Sequence, residues 1–275
     1  MLDYLKKSFK RKVARRVTKK YPVTIDDFNV PELGKVQFAN WNNPLVSHKE
    51  IDANCLGFFR KFINKGDLVI DIGANIGHTT VMMSLIAGKE GTTLGFDPNP
   101  YVYEILEQNS KLNPELTNID LYQYAITDHD DEFYYNSSEA SFNNGGISKE
   151  KVNRHGKHAL EDKIQGVNLE KFLSEKYPDA MDKLSLIKID TEGYDKEIIR
   201  SISDLLIKHK PVVITECLGK NSLEDKYEQY ELLVSLGYDL YYFSDFVEDA
   251  EVVQITKKED MANWKHFDLY AIAKK

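Results

Sequence analysis

The chain has 275 residues, of which 42% are hydrophobic, 29% charged and 11% aromatic, an ordinary globular composition with enough apolar residues for a sizeable core. Its net charge of −8 lacks the basic footprint expected of a protein that binds nucleic acid in bulk. No apolar run approaches the ~20 residues needed to span a bilayer, and no secretory apolar stretch follows the basic start.

Residues 1–20 carry nine basic residues and one acid, a local charge of +8 that leaves −16 on the remainder. Leu2, Leu5, Phe9, Val13 and Val17 recur there at helical spacing, so the segment predicts a basic amphipathic arm. Such an arm suits peripheral contact with an anionic membrane face, docking on its own chain, or contact with a sister subunit in a homo-oligomer. Residues 21–64 hold Pro22, Pro31 and Pro44 and show no strong period. Their aromatics, Phe38, Trp41, Phe58 and Phe59, suit either a sugar-stacking wall or plain core. Cys55 and Cys217 stand among apolar neighbours without metal or redox spacing, which predicts two buried, unpaired thiols in a reducing cytoplasm.

From Lys65 onward, short apolar runs alternate with helical patterns. Strands are predicted at Leu68–Ile72, Thr92–Phe96, Ile119–Ile126, Leu184–Ile189 and Pro211–Thr215, and helices near 76–88, 98–112, 193–208 and 223–236. This alternation implies a parallel sheet with helices on both faces. Tyr238–Phe243 and Phe267–Ala273 add a final antiparallel pair at the sheet edge. The rhythm breaks at 134–167, where "NSSEASFNNGG" precedes a basic tract with His155 and His158. A loop that long predicts a substrate-facing insertion or surface decoration.

"VIDIGANIGHTT" (Val69–Thr80) places Asp71 in an apolar strand and follows it with Gly73, Asn75, Ile76 and Gly77 as a helix begins. The spacing departs from G-x-G-x-x-G, so a pyrophosphate-bearing dinucleotide is not expected. A carboxylate there suits a cationic ligand, one with sulfonium and ammonium groups. The second strand ends in "GFDPNP"; Asp97 can accept hydrogen bonds from ribose hydroxyls, or cap the next helix with Pro98 in its first turn. Together these features read as an S-adenosylmethionine site.

These motifs, with the Asn109/Asn113 pair, "QYAITD", "LIKIDTEGYD" and "VVITEC" in this order, resemble the FkbM family of S-adenosylmethionine-dependent O-methyltransferases over about residues 65–240. The resemblance implies a seven-stranded, Rossmann-like class I methyltransferase sheet of order 3-2-1-4-5-7-6 with strand 7 antiparallel. It divides the chain into the arm 1–20, a cap or substrate-contact segment 21–64, and a methyltransferase domain 65–275 with the insertion. It also implies that Asp71, Gly73, Asn75 and Gly77 surround the methionine end, Asp97 and Pro98 lie at the ribose, and the backbone near Ala125 brackets adenine. Two departures stand out: Asp97 replaces the family's usual glutamate, and Tyr124 stands where many methyltransferases have an aspartate for the adenine amine. The implied acceptor is a carbohydrate hydroxyl, on a nucleotide sugar or surface glycan.

Methyl transfer to a hydroxyl requires alignment and removal of a proton. Asp190 and Glu192 end the fourth strand and are the expected catalytic residues. Glu216 ends the fifth, and adjacent parallel strands lie ~4.8 Å apart, so Asp190 and Glu216 are a candidate pair for Mg2+ or Mn2+. Lys188 is unusual in a core strand and suggests pairing with one of these acids, whereas Asp195 and Lys196 are expected in solvent. His78 faces either cofactor or solvent. A nicotinamide-dependent sugar oxidoreductase or epimerase is the alternative, disfavoured because Tyr270 and Lys274 fall on a predicted strand; a non-catalytic relic of the fold is the other.

Overall fold

The computed structural model describes residues 2–151 and 156–274. The chain opens with helix α1 (Leu2–Ala14) and a hairpin of β1 (Val23–Val30) and β2 (Gly34–Trp41), in register from Val23 opposite Trp41 to Val30 opposite Gly34. After α2 (Ala53–Phe59), the alternation begins: β3 (Leu68–Ile72), α3 (His78–Ala87), β4 (Thr92–Phe96), α4 (Pro100–Lys111) and β5 (Ile119–Tyr122). A second, smaller set of strands follows: β6 (Ala125–Thr127), β7 (Asp131–Ser137), β8 (Gly146–Ser148), β9 (His158–Ala159) and β10 (Ile164–Asn168). The main sheet resumes after α5 (Leu169–Lys176) with β11 (Leu184–Ile189), α6 (Asp195–Ser201), α7 (Ser203–His209), β12 (Val212–Cys217), α8 (Leu223–Ser235), β13 (Tyr238–Phe243), β14 (Val252–Ile255) and β15 (Phe267–Ala273).

The main sheet has the order β14-β13-β15-β12-β11-β3-β4-β5. Strands β5, β4, β3, β11 and β12 are mutually parallel, and β15 runs antiparallel to both β12 and β13. This is the expected 3-2-1-4-5-7-6 order, with β14 as an eighth strand outside β13. The expected antiparallel pair is present toward that edge: β15 lies between β12 and β13 and runs antiparallel to both. The predicted strand Ile119–Ile126 is two strands, because the chain leaves the main sheet at Tyr122 and Ala125–Thr127 pairs with β10 instead. The described part of the segment 134–167 is no loose loop; β7, β8, β9 and β10 pair into a second sheet around Phe133, Tyr135, Phe142 and Ile164.

Alternation along β3 explains the layering. Leu68, Ile70 and Ile72 point to one face, packed with α5, α6 and α7, while Val69 points to the other, packed with α2, α3 and the hairpin. Phe38, Trp41, Phe58 and Phe59 are buried in that second layer, which decides them as core rather than a sugar-stacking wall. Cys217 is buried, but Cys55 is only half-buried; both thiols are free. Among the described residues, no helix is long and apolar enough to cross a membrane.

Candidate active site

A cavity of about 660 Å³ lies beyond the carboxyl ends of β3, β4 and β11, within the usual size range for small-ligand sites. Its walls are the turn Gly73–Ile76, Asp97 and Pro98, Tyr124–Ile126, Asp190–Glu192, and the loop 143–147 from the second sheet.

The turn after β3 is shaped by close packing against the protein. Gly73 has φ +79°, and a Cβ there would sit 1.9 Å from the Asp190 carbonyl oxygen. Only glycine lets β3 turn beneath the end of β11. Gly77 (φ +88°) packs its α-carbon against Leu106 of α4, and it does not line the cavity; its glycine serves helix packing rather than approach to the methionine end. Asn75, at φ +52°, lines the cavity, donates its N–H to Asp97 Oδ2 at 2.7 Å, and donates from Nδ2 to the Asn143 carbonyl at 3.2 Å.

Asp71 also departs from expectation. It is fully buried beneath the cavity and forms no part of its wall. Its Oδ2 accepts from the Thr79 and Thr80 hydroxyls at 2.8 and 2.6 Å, and its Oδ1 faces Lys188 Nζ at 3.3 Å. Lys188 lies between this carboxylate and Asp190 Oδ2, 3.2 Å away. Burial works against its charge, but Asp190 and Asp71 together outweigh that and raise its pKa well above the ordinary lysine value. The odd lysine of the apolar strand is thus the tie between a supporting acid and a cavity acid.

Asp97 is on the wall. Burial pushes its carboxyl up to about 7, against the N–H groups of Asn99 and Asn75 that favour the charged form. Near neutral pH it can both accept from and donate to a hydroxyl pair. It does not cap α4: Asn99 is the N-cap, with Pro100 at the first helical position. Asn99 Nδ2 also donates to the Phe142 carbonyl at 2.7 Å, and Phe142 stacks on Tyr101 at 5.1 Å between centroids. These contacts bring the second sheet's loop over the cavity. Asn143 and Asn144, hidden in the run "NSSEASFNNGG", are site residues that the sequence flagged only as a long insertion.

Asp190 and Glu192 both line the cavity. Glu192 adopts φ +56°, a conformation costly for a non-glycine residue and often found at functional sites. Its pKa is raised, chiefly by burial and then by the Asp190 charge, although Lys220 and the Asn144 hydrogen bond oppose the shift. Glu216 lies outside the cavity wall. Its Oε1 meets His266 Nε2 at 2.6 Å, while burial and then the Asp190 and Glu192 charges raise its pKa. The expected metal pair gains no support: Asp190 is held by Lys188 and Glu216 by His266, and the described residues contain no group of three or more metal-ligating side chains. Asp195, expected in solvent, is buried; it accepts from Thr191 N–H and Oγ1, Thr215 Oγ1 and Glu216 N–H, tying together the ends of β11 and β12. Lys196 is largely buried and pairs with Asp225 and Glu228. His78 is neither free nor in open solvent: it lines the cavity with Nε2 2.7 Å from the Glu50 carbonyl, and burial lowers its pKa to about 4. His158 sits in β9 near Phe142, and His155 lies outside the described residues.

The family model for the methyltransferase FkbM domain matches residues 71–240, more than half of the chain. The chain belongs to the FkbM methyltransferase family. Methyltransferase sdnD of Sordaria araneosa is 23% identical over 193 residues, 62% of this chain and 73% of that protein. A protein-L-isoaspartate O-methyltransferase of Caenorhabditis elegans is 30% identical over 67 residues, 24% of this chain and 30% of that protein. A solved FkbM methyltransferase structure from Methylobacillus flagellatus is 12% identical, covering 76% of this chain and 44% of that one, with a TM-score of 0.44. This FkbM chain is an S-adenosylmethionine-dependent methyltransferase with a class I fold. Its cavity suits that cofactor's chemistry, with a carboxyl at Asp97 for hydroxyls, an apolar stretch at Tyr124–Ile126 for a flat base, and Asp190 and Glu192 for positive charge.

Proposed function

We propose that this enzyme is an O-methyltransferase that methylates a carbohydrate hydroxyl, on a nucleotide sugar or surface glycan. The observation that carries the reading is the pair of carboxylates, Asp190 and Glu192, on the wall of one cavity. The bound cofactor supplies an electrophilic methyl group, so the protein's tasks are alignment and deprotonation. Asp97 holds the ribose hydroxyls, and the backbone at Ala125 and Ile126 flanks the adenine. Lys188 holds Asp190 in place, and Asp190 accepts a hydrogen bond from the acceptor. Glu192 takes the hydroxyl proton; its raised pKa matches a base that works nearer neutrality than an ordinary glutamate. The carbohydrate class rests on the likeness of "LIKIDTEGYD" and its companion motifs to enzymes of that type.

Incubation with methyl-labelled cofactor and a panel of nucleotide sugars and glycan fragments tests the reading. Label is expected as a methyl ether on a sugar. Label found only on amines, protein or nucleic acid overturns it.

A further inference from the structure

We infer that a basic groove beside the active site binds the phosphate groups of a phosphorylated acceptor. This deepens the carbohydrate reading above and rests on it for the identity of the attached sugar.

The groove, about 1000 Å³, lies between α1 with its following turn and the segment 41–48. Lys7, Arg11, Lys12, Arg15 and Arg16 line one side, and His48 the other. Few acids answer them. Arg15 Nε lies 3.4 Å from Glu139 and His48 Nε2 lies 3.7 Å from Asp26, while Arg11 Nε donates to the Pro44 carbonyl at 3.1 Å. Lys12 and Arg16 have no carboxylate within 4 Å among the residues whose side chains are described. This concentration stands out in a chain whose other residues sum to −16.

Asn43 supplies the second observation. It lines the groove at 2% exposure; its Oδ1 accepts from Leu45 N–H at 3.0 Å, and its Nδ2 has no acceptor among the described residues. An orphaned buried donor is costly, and native proteins rarely keep one without a partner. A wall of cations and an unsatisfied amide calls for a ligand rich in acceptor oxygens and negative charge. Phosphate and diphosphate groups fit, since each oxygen accepts charge-assisted bonds and arginine forks bind them two at a time.

The groove's position ties it to methyl transfer. Val46 lines both cavities, with Leu45, Ser47 and Lys49 on the cofactor side and Pro44 and His48 on the basic side. A ligand with its phosphates in the groove therefore presents its attached group across this one loop. A lipid surface would meet a different face: Leu5 and Phe9 project to solvent at 57% and 68% exposure, away from the groove.

Calorimetric titration of the full chain with inorganic pyrophosphate, and with a nucleoside diphosphate, tests the inference. Binding is expected, weakening as salt rises. The triple variant Lys7→Gln, Arg11→Gln, Arg16→Gln should lose about tenfold or more in affinity, as expected for removed charge-assisted contacts. Its affinity for S-adenosylhomocysteine, read in parallel, should stay at the wild-type value and reports that the fold is intact. Absence of pyrophosphate binding by the wild type overturns the inference, as does equal binding by the variant. Co-sedimentation with phosphatidylglycerol vesicles that excess pyrophosphate does not compete away also overturns it, by assigning the basic residues to lipid. No turnover is measured, so this outcome is independent of the labelling experiment: pyrophosphate can bind while sugars go unmethylated, and the reverse.

Discussion

Asp71, Lys188 and Asp190 form a chain of charges in which Lys188 and Asp190 line the cavity and Asp71 lies beneath it. A buried lysine between two carboxylates is stabilised by both, and removing Lys188 would leave the two carboxylates facing each other uncompensated. Under the proposed reaction the two cavity acids divide the labour. Asp190 is tied to Lys188, whereas Glu192, with a raised pKa and a single 3.3 Å hydrogen bond from Asn144, is the freer base. Glu192→Gln is expected to lower kcat by about 10²- to 10⁴-fold, the range for loss of a general base, with cofactor-product affinity nearly unchanged. The sign of the pH effect follows from the raised pKa: wild-type kcat/KM falls as pH drops through that value, because the protonated carboxyl cannot take a proton. The glutamine variant should lose that limb. An unchanged profile in the variant would remove Glu192 from the reaction.

At the scale of elements, α4 acts as a surrogate strand for the hairpin. One edge of β2 pairs with β1; the other meets side-chain amides. Asn113 Oδ1 accepts from Gln37 N–H at 2.8 Å and its Nδ2 donates to the Gln37 carbonyl at 2.9 Å. Asn109 does the same with Ala39, at 2.6 and 3.2 Å, and also donates to the Ile76 carbonyl at 2.7 Å in the cofactor turn. Asn109 lies in the last turn of α4 and Asn113 just beyond its end, and their partners are two residues apart on one edge of β2. Asn109→Ala strands buried backbone groups and should cost about 1–3 kcal/mol in urea denaturation, with faster amide exchange at Ala39. A loss below about 0.5 kcal/mol would show that water replaces the amide without penalty. The i, i+4 spacing of this pair is plain in the sequence. Its purpose is not, because the hairpin it serves lies some seventy residues earlier in a segment with no clear period.

The whole molecule concentrates buried carboxyls at one end of its sheet. Burial raises Asp97 and Asp268 to about 7 and Asp195 to about 6. The folded state therefore holds protons that the unfolded chain releases near pH 4, and it binds more protons throughout the window between those values. Their contribution to stability is full below about pH 4 and is lost as pH rises through about 7. The Tm of the ligand-free protein should be several degrees higher at about pH 5 than at about pH 8, measured by scanning calorimetry. Asp97→Asn should flatten part of that slope. A Tm that climbs between those pH values would contradict the burial of these groups.

By itself, the sequence marked out the main-sheet strands, since β3, β4, β11, β13 and β15 end where their apolar runs end, and it placed acids at the strand termini where ligands bind in such folds, while the resemblance to the FkbM family implied their order in the sheet. It also exposed Lys188 as misplaced and marked the insertion. Tertiary structure alone decided that Asp71 supports rather than lines the site, that Asp195 is buried, that Glu216 faces His266, and that strands β7 to β10 of the insertion form a second sheet with β6. The physical reason is range. Periodicity and turn chemistry are carried by neighbouring residues, whereas the face a strand-end carboxylate presents, and the partner waiting there, depend on segments brought together only when the chain has folded.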